Sequence, residues 1–308
     1  MRLMFCTLFL LCFALMSCQS GPQPPQAKRI PKHLEAHGDV RTDDYYWLKE
    51  RDNPEVINYL EAENEYTEAI MAGTESLQKT LVNEFKTRIK QDDTSVPYRL
   101  DDYYYYDRSI DGDDYKLYCR KKGSLEGEEE ILLDANELAD DSKFFSIRSQ
   151  VSPGHDLIAY GMDKVGRRFY TVYFKNLETG ENLPDKLSDV TGNMAWANDN
   201  VTLFYSKQDP TTLRSFQVYR HVLGTDPSQD ELVYEEADET FSVYVSKTKS
   251  RRYLLITSSQ TLSTEVRYLD ADKPSEEFVV FLPRQENHEY SIDHLEDKFY
   301  IRTNLEAP

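Results

Sequence analysis

The sequence predicts a mainly β fold in which amino-terminal helices are followed by an incomplete β-propeller. Three observations predict it. Short aromatic and β-branched runs replace the helical period from about Val96 onward, they recur as strand, polar turn and strand, and the recurrence has a long internal period. A hydrophobic fraction of 39%, with 22 Tyr and 14 Phe against 12 Gly, suits an aromatic-rich β protein rather than a disordered chain. At 308 residues there is room for a sizeable core, in two modest domains or one repeat array.

The helices come first. Asn53-Pro54 is a helix start, because Asn53 can cap orphan amides and Pro54 suits a position whose N–H would be unpaired anyway. From there Val56, Tyr59, Leu60, Tyr66 and Ile70 recur near helical spacing, and Gly73 gives a stop. A second helix over 76–90 carries Leu77, Leu81, Val82, Phe85 and Ile89 on one face. Each stripe is an ordinary core signal that needs a partner surface.

The strands follow as repeated units. Runs at 103–106 and 115–118 flank Asp111-Gly112, a hairpin signal. Residues 151–160 place Pro153-Gly154 before Leu157-Ile158-Ala159-Tyr160, and residues 194–205 place Asn198-Asp199-Asn200 before Leu203-Phe204-Tyr205. Residues 243–256 place Ser250-Arg251-Arg252 before an apolar run, and residues 290–301 place Glu296-Asp297 before Phe299-Tyr300-Ile301. The second strands recur at roughly 45 to 53 residues, the range of four-stranded propeller blades. A further hairpin lies between units, as in 169–175 before Glu178-Thr179-Gly180. The pattern supports about four blades plus the start of a fifth. A β-sandwich of similar strands competes, although a sandwich does not need the long period.

The formal charge of −19 and the absence of a basic stripe exclude a nucleic-acid partner. Such an acidic field draws in cationic peptides, or it simply solvates the outer surface. Cys6, Cys12 and Cys18 fall at the amino terminus and only Cys119 lies in the body, so no intrachain body disulfide is available. Cys119 sits in a strand-like run, where a small buried apolar role outweighs a reactive one.

Residues 1–17 have the layout of a secretory signal peptide: Arg2, then an apolar run too short to stay as an anchor. Leu15-Met16-Ser17-Cys18 resembles a bacterial lipobox, which makes Cys18 the lipidation site; ordinary signal cleavage is the plainer reading. No Asp follows Cys18, which favours the outer membrane in a diderm bacterium. Residues 18–30, with Pro22, Pro24 and Pro25, read as a lipidated, extended tether.

Gly38-Asp39-Val40-Arg41-Thr42-Asp43-Asp44-Tyr45-Tyr46-Trp47-Leu48, followed by Asp52-Asn53-Pro54-Glu55-Val56, resembles the amino-terminal signature of the prolyl oligopeptidase family. Leu117-Tyr118-Cys119-Arg120, Gly166-Arg167-Arg168-Phe169-Tyr170, Val218-Tyr219-Arg220-His221 and Ser263-Thr264-Glu265-Val266-Arg267-Tyr268 resemble its oligopeptidase B branch. The resemblance implies a propeller of seven blades capping an α/β-hydrolase domain, with the helical segment packed on that domain. It implies cleavage of short peptides after Lys or Arg by a Ser-Asp-His triad, with folded proteins kept out by the propeller and no cofactor.

That chemistry is not in these residues. A hydrolase nucleophile needs a strand-to-helix elbow of the form G-x-S-x-G, and Gly123-Ser124-Leu125-Glu126-Gly127 puts Leu125 where the Ser would stand. No catalytic residue is therefore assigned, and the α/β-hydrolase domain is expected to be absent. His33-Leu34-Glu35-Ala36-His37 fits neither zinc spacing, so no metal site is assigned. His155, His221, His288 and His294 read as hydrogen-bonded surface or core histidines. The cluster Asp107, Asp111, Asp113 and Asp114 reads as a solvated hairpin tip. Arg167-Arg168 and Arg251-Arg252 are candidates for contacts with a neighbouring domain or substrate, and no substrate-binding residue is singled out.

The expected organisation is a signal over 1–17, a tether over 18–30, a helical segment over 31–95 and a partial propeller over 96–308. The expected role is the non-catalytic gate portion of a lipid-anchored oligopeptidase acting on short basic peptides. A truncated propeller serving as a cell-envelope binding or scaffold module is the alternative, and an incomplete gene model is a third.

Overall fold

The computed structural model describes residues 21–307. Residues 1–17 and Cys18, read above as signal and lipidation site, lie outside the described residues. The chain forms two compact units, one ending at Lys90 and one beginning at Gln91.

The first unit opens with an element that the apolar pattern does not reveal. Strands β1 (Lys32–Ala36) and β2 (Asp39–Asp43) form an antiparallel hairpin ahead of the helices. This hairpin lies within the stretch 31–95 expected to be a helical segment. Its turn, His37-Gly38, has φ of 54° and 81°, which matches the two-residue turns that suit strand twist. Both strands are almost wholly exposed, so they carry no in-out alternation to read.

Helix α1 (Pro54–Met71) begins as its sequence indicates: the Asn53 side chain accepts from the Glu55 amide, and Pro54 takes the first turn. A 3-10 turn over Ala72–Thr74 separates it from α2 (Glu75–Arg88). Ile89 has already left the helix with extended backbone. Among the described residues of this unit, Trp47 and Val56 are the buried apolar ones, and the Trp47 indole donates to the Lys28 carbonyl at 2.9 Å. The carboxyl end of the expected tether is thereby fixed, with the Ile30 amide bonded to the Asp44 carbonyl.

The second unit consists of antiparallel sheets taken in chain order. Blade 1 is β3 (Tyr98–Leu100), β4 (Tyr103–Arg108), β5 (Leu117–Lys122) and β6 (Glu129–Asp134). A short helix, α3 (Ala135–Ala139), leads on from it. Blade 2 is β7 (Ser146–Val151), β8 (Leu157–Asp163), β9 (Tyr170–Asn176) and β10 (Asn182–Val190). Blade 3 is β11 (Met194–Trp196), β12 (Thr202–Gln208), β13 (Ser215–Val222) and β14 (Glu231–Glu235). Blade 4 is β15 (Ser242–Lys247), β16 (Tyr253–Gln260), β17 (Ser263–Asp270) and β18 (Val279–Leu282). Strands β19 (Tyr290–Leu295) and β20 (Lys298–Thr303) begin a fifth. The repeat reading is thus met by four complete blades and one hairpin.

The core lies between blades, in layers. Leu157 and Ala159 of β8 join the layer shared with Trp196, Leu203 and Tyr205 of blade 3, whereas Ile158 and Tyr160 face Tyr105 and Leu132 of blade 1. Phe204 packs the other way, with Val243, Leu254 and Ile256 of blade 4, and Leu255 turns toward Tyr290 and Ile292. Alternate residues of one strand feed opposite layers, because side chains point to opposite faces. Sheets covered on both faces therefore read as continuous apolar runs.

The turns between first and second strands repeat as well. In blades 2, 3 and 4 the backbone closes through Ser152 to Leu157, Ala197 to Thr202 and Thr248 to Tyr253, each at 2.9 Å. One non-glycine residue per turn is left-handed: Asp101, His155, Asn200, Arg251 and Glu296, with φ between 55° and 65°.

Candidate functional site

The first strands of the middle blades share one space. Arg148 and Gln150 of β7, Val243 and Tyr244 of β15, and Asn193 beside β11 line a cavity of about 460 Å³. Strand β15 alternates as a channel wall should: Ser242 and Tyr244 are exposed, Val243 and Val245 buried. Strand β19 repeats this with Ser291 and Asp293 exposed against buried Tyr290 and Ile292.

Side chains knit this wall across blades. The Asn193 amide accepts from the Val245 N–H at 2.7 Å and donates to the Val245 carbonyl at 2.9 Å, substituting for a strand partner between blades 3 and 4. The Trp196 indole donates to the Gln150 carbonyl in blade 2 at 3.1 Å. Lys247 donates to the Trp196 carbonyl at 2.8 Å, and burial pulls its ammonium down to about 8.

At the end of the first strands the turns converge. Asp101 accepts from Arg251 Nη1 at 2.5 Å, from Arg251 Nη2 at 2.8 Å and from His155 Nε2 at 2.9 Å. The Arg251 and His155 hydrogen bonds hold its carboxyl well below the usual carboxylate range. His155 Nδ1 lies 2.7 Å from the Tyr105 hydroxyl, and Tyr103 stacks on its ring at 4.9 Å. Burial pushes the Tyr105 phenol up to about 12. Of the four arginines singled out in the sequence, Arg251 thus has a specific partner in another blade. Arg168 contributes through its backbone: its carbonyl accepts from Gln208 at 3.0 Å and its N–H donates to Asp163 at 2.7 Å.

His33, His221, His288 and His294 are hydrogen-bonded. His221 is fully buried between Asp230 Oδ1 at 2.8 Å and Asp185 Oδ1 at 3.1 Å, which joins the outer strands of blades 2 and 3. The Gly224 N–H and the Tyr205 hydroxyl complete this cluster by donating to Asp185 and Asp230. His288 Nε2 meets the Thr303 hydroxyl, and His294 Nδ1 meets that of Ser250. His33 meets the Thr42 hydroxyl across the first hairpin. Among the described residues no three His, Cys, Asp or Glu side chains are grouped to hold a metal ion.

Cys119 is buried with Tyr106 and Leu117, and burial pushes its thiol up to about 11, far from a reactive range. Gly123 to Gly127 form the turn between β5 and β6, with no helix after it. Asp111, Asp113 and Asp114 lie in the loop between β4 and β5, whereas Asp107 stands within β4, opposite Tyr118, and pairs with Lys116.

Sequential four-stranded blades whose first strands share a cavity define the class: a β-propeller. The chain belongs to the prolyl oligopeptidase family, whose pattern "Prolyl oligopeptidase, N-terminal beta-propeller domain" matches residues 25–308. It is 41% identical to dipeptidyl aminopeptidase BI of Pseudoxanthomonas mexicana, over 92% of this chain and 42% of that protein. It is 37% identical to Protease 2 of Moraxella lacunata, over 91% of this chain and 42% of that protein. Oligopeptidase B from Leishmania major superposes with a TM-score of 0.86 at 30% identity, over 92% of this chain and 43% of that one. The chain therefore spans about 42% of the length of the curated relatives it matches, their amino-terminal, propeller-bearing part.

Proposed function

We propose that this chain is the gating portion of a serine endopeptidase of the oligopeptidase B type, which cleaves short peptides after Lys or Arg. The observation that carries the reading is the likeness to oligopeptidase B across residues that build four successive blades. A net charge of −19 supports basic substrates, since a negative field raises the local concentration of cationic peptides. The propeller would admit flexible peptides to an α/β-hydrolase domain in the parent polypeptide. The 308-residue chain alone would be inactive, because none of its residues forms a G-x-S-x-G elbow.

The test is hydrolysis of amino-terminally blocked fluorogenic peptides ending in Arg or Lys. The parent polypeptide should cleave them and bind a fluorophosphonate, and this chain should do neither. One relative is named a dipeptidyl aminopeptidase, so unblocked dipeptide substrates belong in the same assay. Cleavage confined to those would replace the endopeptidase reading with dipeptide removal.

We also propose export through residues 1–17 and lipid anchoring at Cys18 in the bacterial envelope, on the sequence pattern alone. Palmitate incorporation that is lost in Cys18→Ala supports the anchor; equal labelling of both forms sinks it.

A further inference from the structure

Blades 1 and 4 are not neighbours. Blades 2 and 3 stand between them in the chain, and the apolar layers join 1 to 2, 2 to 3 and 3 to 4. Even so, the first turn of blade 1 meets the first turn of blade 4 through Asp101 and Arg251, 150 residues apart. Both side chains sit in the turn that follows a first strand, Asp101 after β3 and Arg251 after β15, and β15 lines the cavity described above. In a ring of blades whose first strands lie innermost, a contact between the turns of non-adjacent blades crosses one end of the central opening.

The other turns brace this contact. His155 of blade 2 shares the Asp101 carboxylate. Asn198 of blade 3 donates to the Arg251 carbonyl at 3.1 Å, and Asn200 accepts from the Gly154 N–H at 2.7 Å. Asp101, His155 and Arg251 all hold left-handed backbone at equivalent positions of their turns. The ion pair is bidentate yet about half exposed, at 44% for Asp101 and 43% for Arg251. Salt and competing cations therefore reach it.

We infer that Asp101 and Arg251 form a size-determining latch across the turn-side mouth of the propeller channel, with His155 as its positioning residue. This rests on the reading of the propeller as the filter before a peptidase. When the latch is closed, extended short peptides are admitted by other routes and long ones are held back at this mouth. When Arg251 leaves Asp101, the mouth widens, and a basic peptide side chain takes the vacated place on the carboxylate. Opening breaks an ion pair and no covalent bond, so it is fast and reversible.

The test uses the parent enzyme, a blocked tetrapeptide ending in Arg and a long flexible basic peptide. Arg251→Ala should raise the long-to-short ratio of kcat/KM by up to about fivefold, the bias an exposed pair can hold, with the short substrate unchanged. Raising salt should do the same to the wild type and leave Arg251→Ala flat. The exchange Asp101→Arg with Arg251→Asp should restore the wild-type ratio. In Asp101→Cys with Arg251→Cys, a short bismaleimide should join the two turns and drive the ratio below wild type. No cross-link, or a cross-link that leaves the ratio unmoved, overturns the latch. Wild-type enzyme that cleaves neither peptide defeats the proposed activity instead, and the cross-link yield still decides whether the turns meet.

Discussion

Strand β12 and helix α2 are both apolar along one stretch of sequence, and they end in opposite surroundings. Leu203, Phe204 and Tyr205 are at most 1% exposed, while Leu77 and Phe85 are each 59% exposed. The strand is covered on both faces by its own chain, through blade 2 on one side and blade 4 on the other. The helix stripe has the same period whether or not the chain supplies the surface that covers it. Apolar periodicity identifies the element; only the three-dimensional arrangement identifies its partner.

The largest test of this contrast pairs two phenylalanines. Phe204→Ala should lose about 3–5 kcal/mol in urea unfolding, because it empties a layer shared by two blades. Phe85→Ala in the same chain should change stability by less than about 0.5 kcal/mol. Equal losses would break the comparison.

A second test sets a buried histidine against an exposed one. His221→Ala strands the Asp185 and Asp230 carboxylates away from water and should cost about 3 kcal/mol. His33→Ala, on the exposed hairpin, should leave the melting temperature unchanged within error.

A third concerns pH. Burial pushes the Glu236 carboxyl up, but hydrogen bonds from Arg284 and Tyr234 outweigh it and hold it at about 2. A folded-state value below the unfolded one adds stability above the unfolded value, and that stability is lost as pH falls through the folded value. Unfolding free energy should therefore fall by about 2 kcal/mol between pH 4.5 and 2, and Glu236→Gln should flatten that part of the profile. The smallest effect belongs to the exposed pair Lys28 and Glu55, where Lys28→Ala should cost less than about 0.5 kcal/mol.

Much of the propeller was legible because each second strand is an apolar run bounded by turn residues. Leu157 to Tyr160, Leu203 to Tyr205 and Leu254 to Ile256 all fall in such strands. The phase of blade 1 was harder. Asp111-Gly112 joins its second and third strands, whereas the other quoted turns join first to second. Its first strand, Tyr98–Leu100, is too short to show a period. The first hairpin has no apolar signature because its strands are largely polar and exposed, and His37-Gly38 is its one turn signal. The meeting of Asp101 and Arg251 had no local signature. It appears only when the turns are aligned as equivalent positions, since the pair joins non-adjacent repeats.

The layered packing also bears on how the polypeptide condenses during synthesis. Each sheet completes the apolar layer begun by the one before it, so a nascent chain can solidify progressively as it leaves the ribosome. At every stage the greasy surface still open is the one made most recently, and the next forty or fifty residues to emerge are those built to seal it.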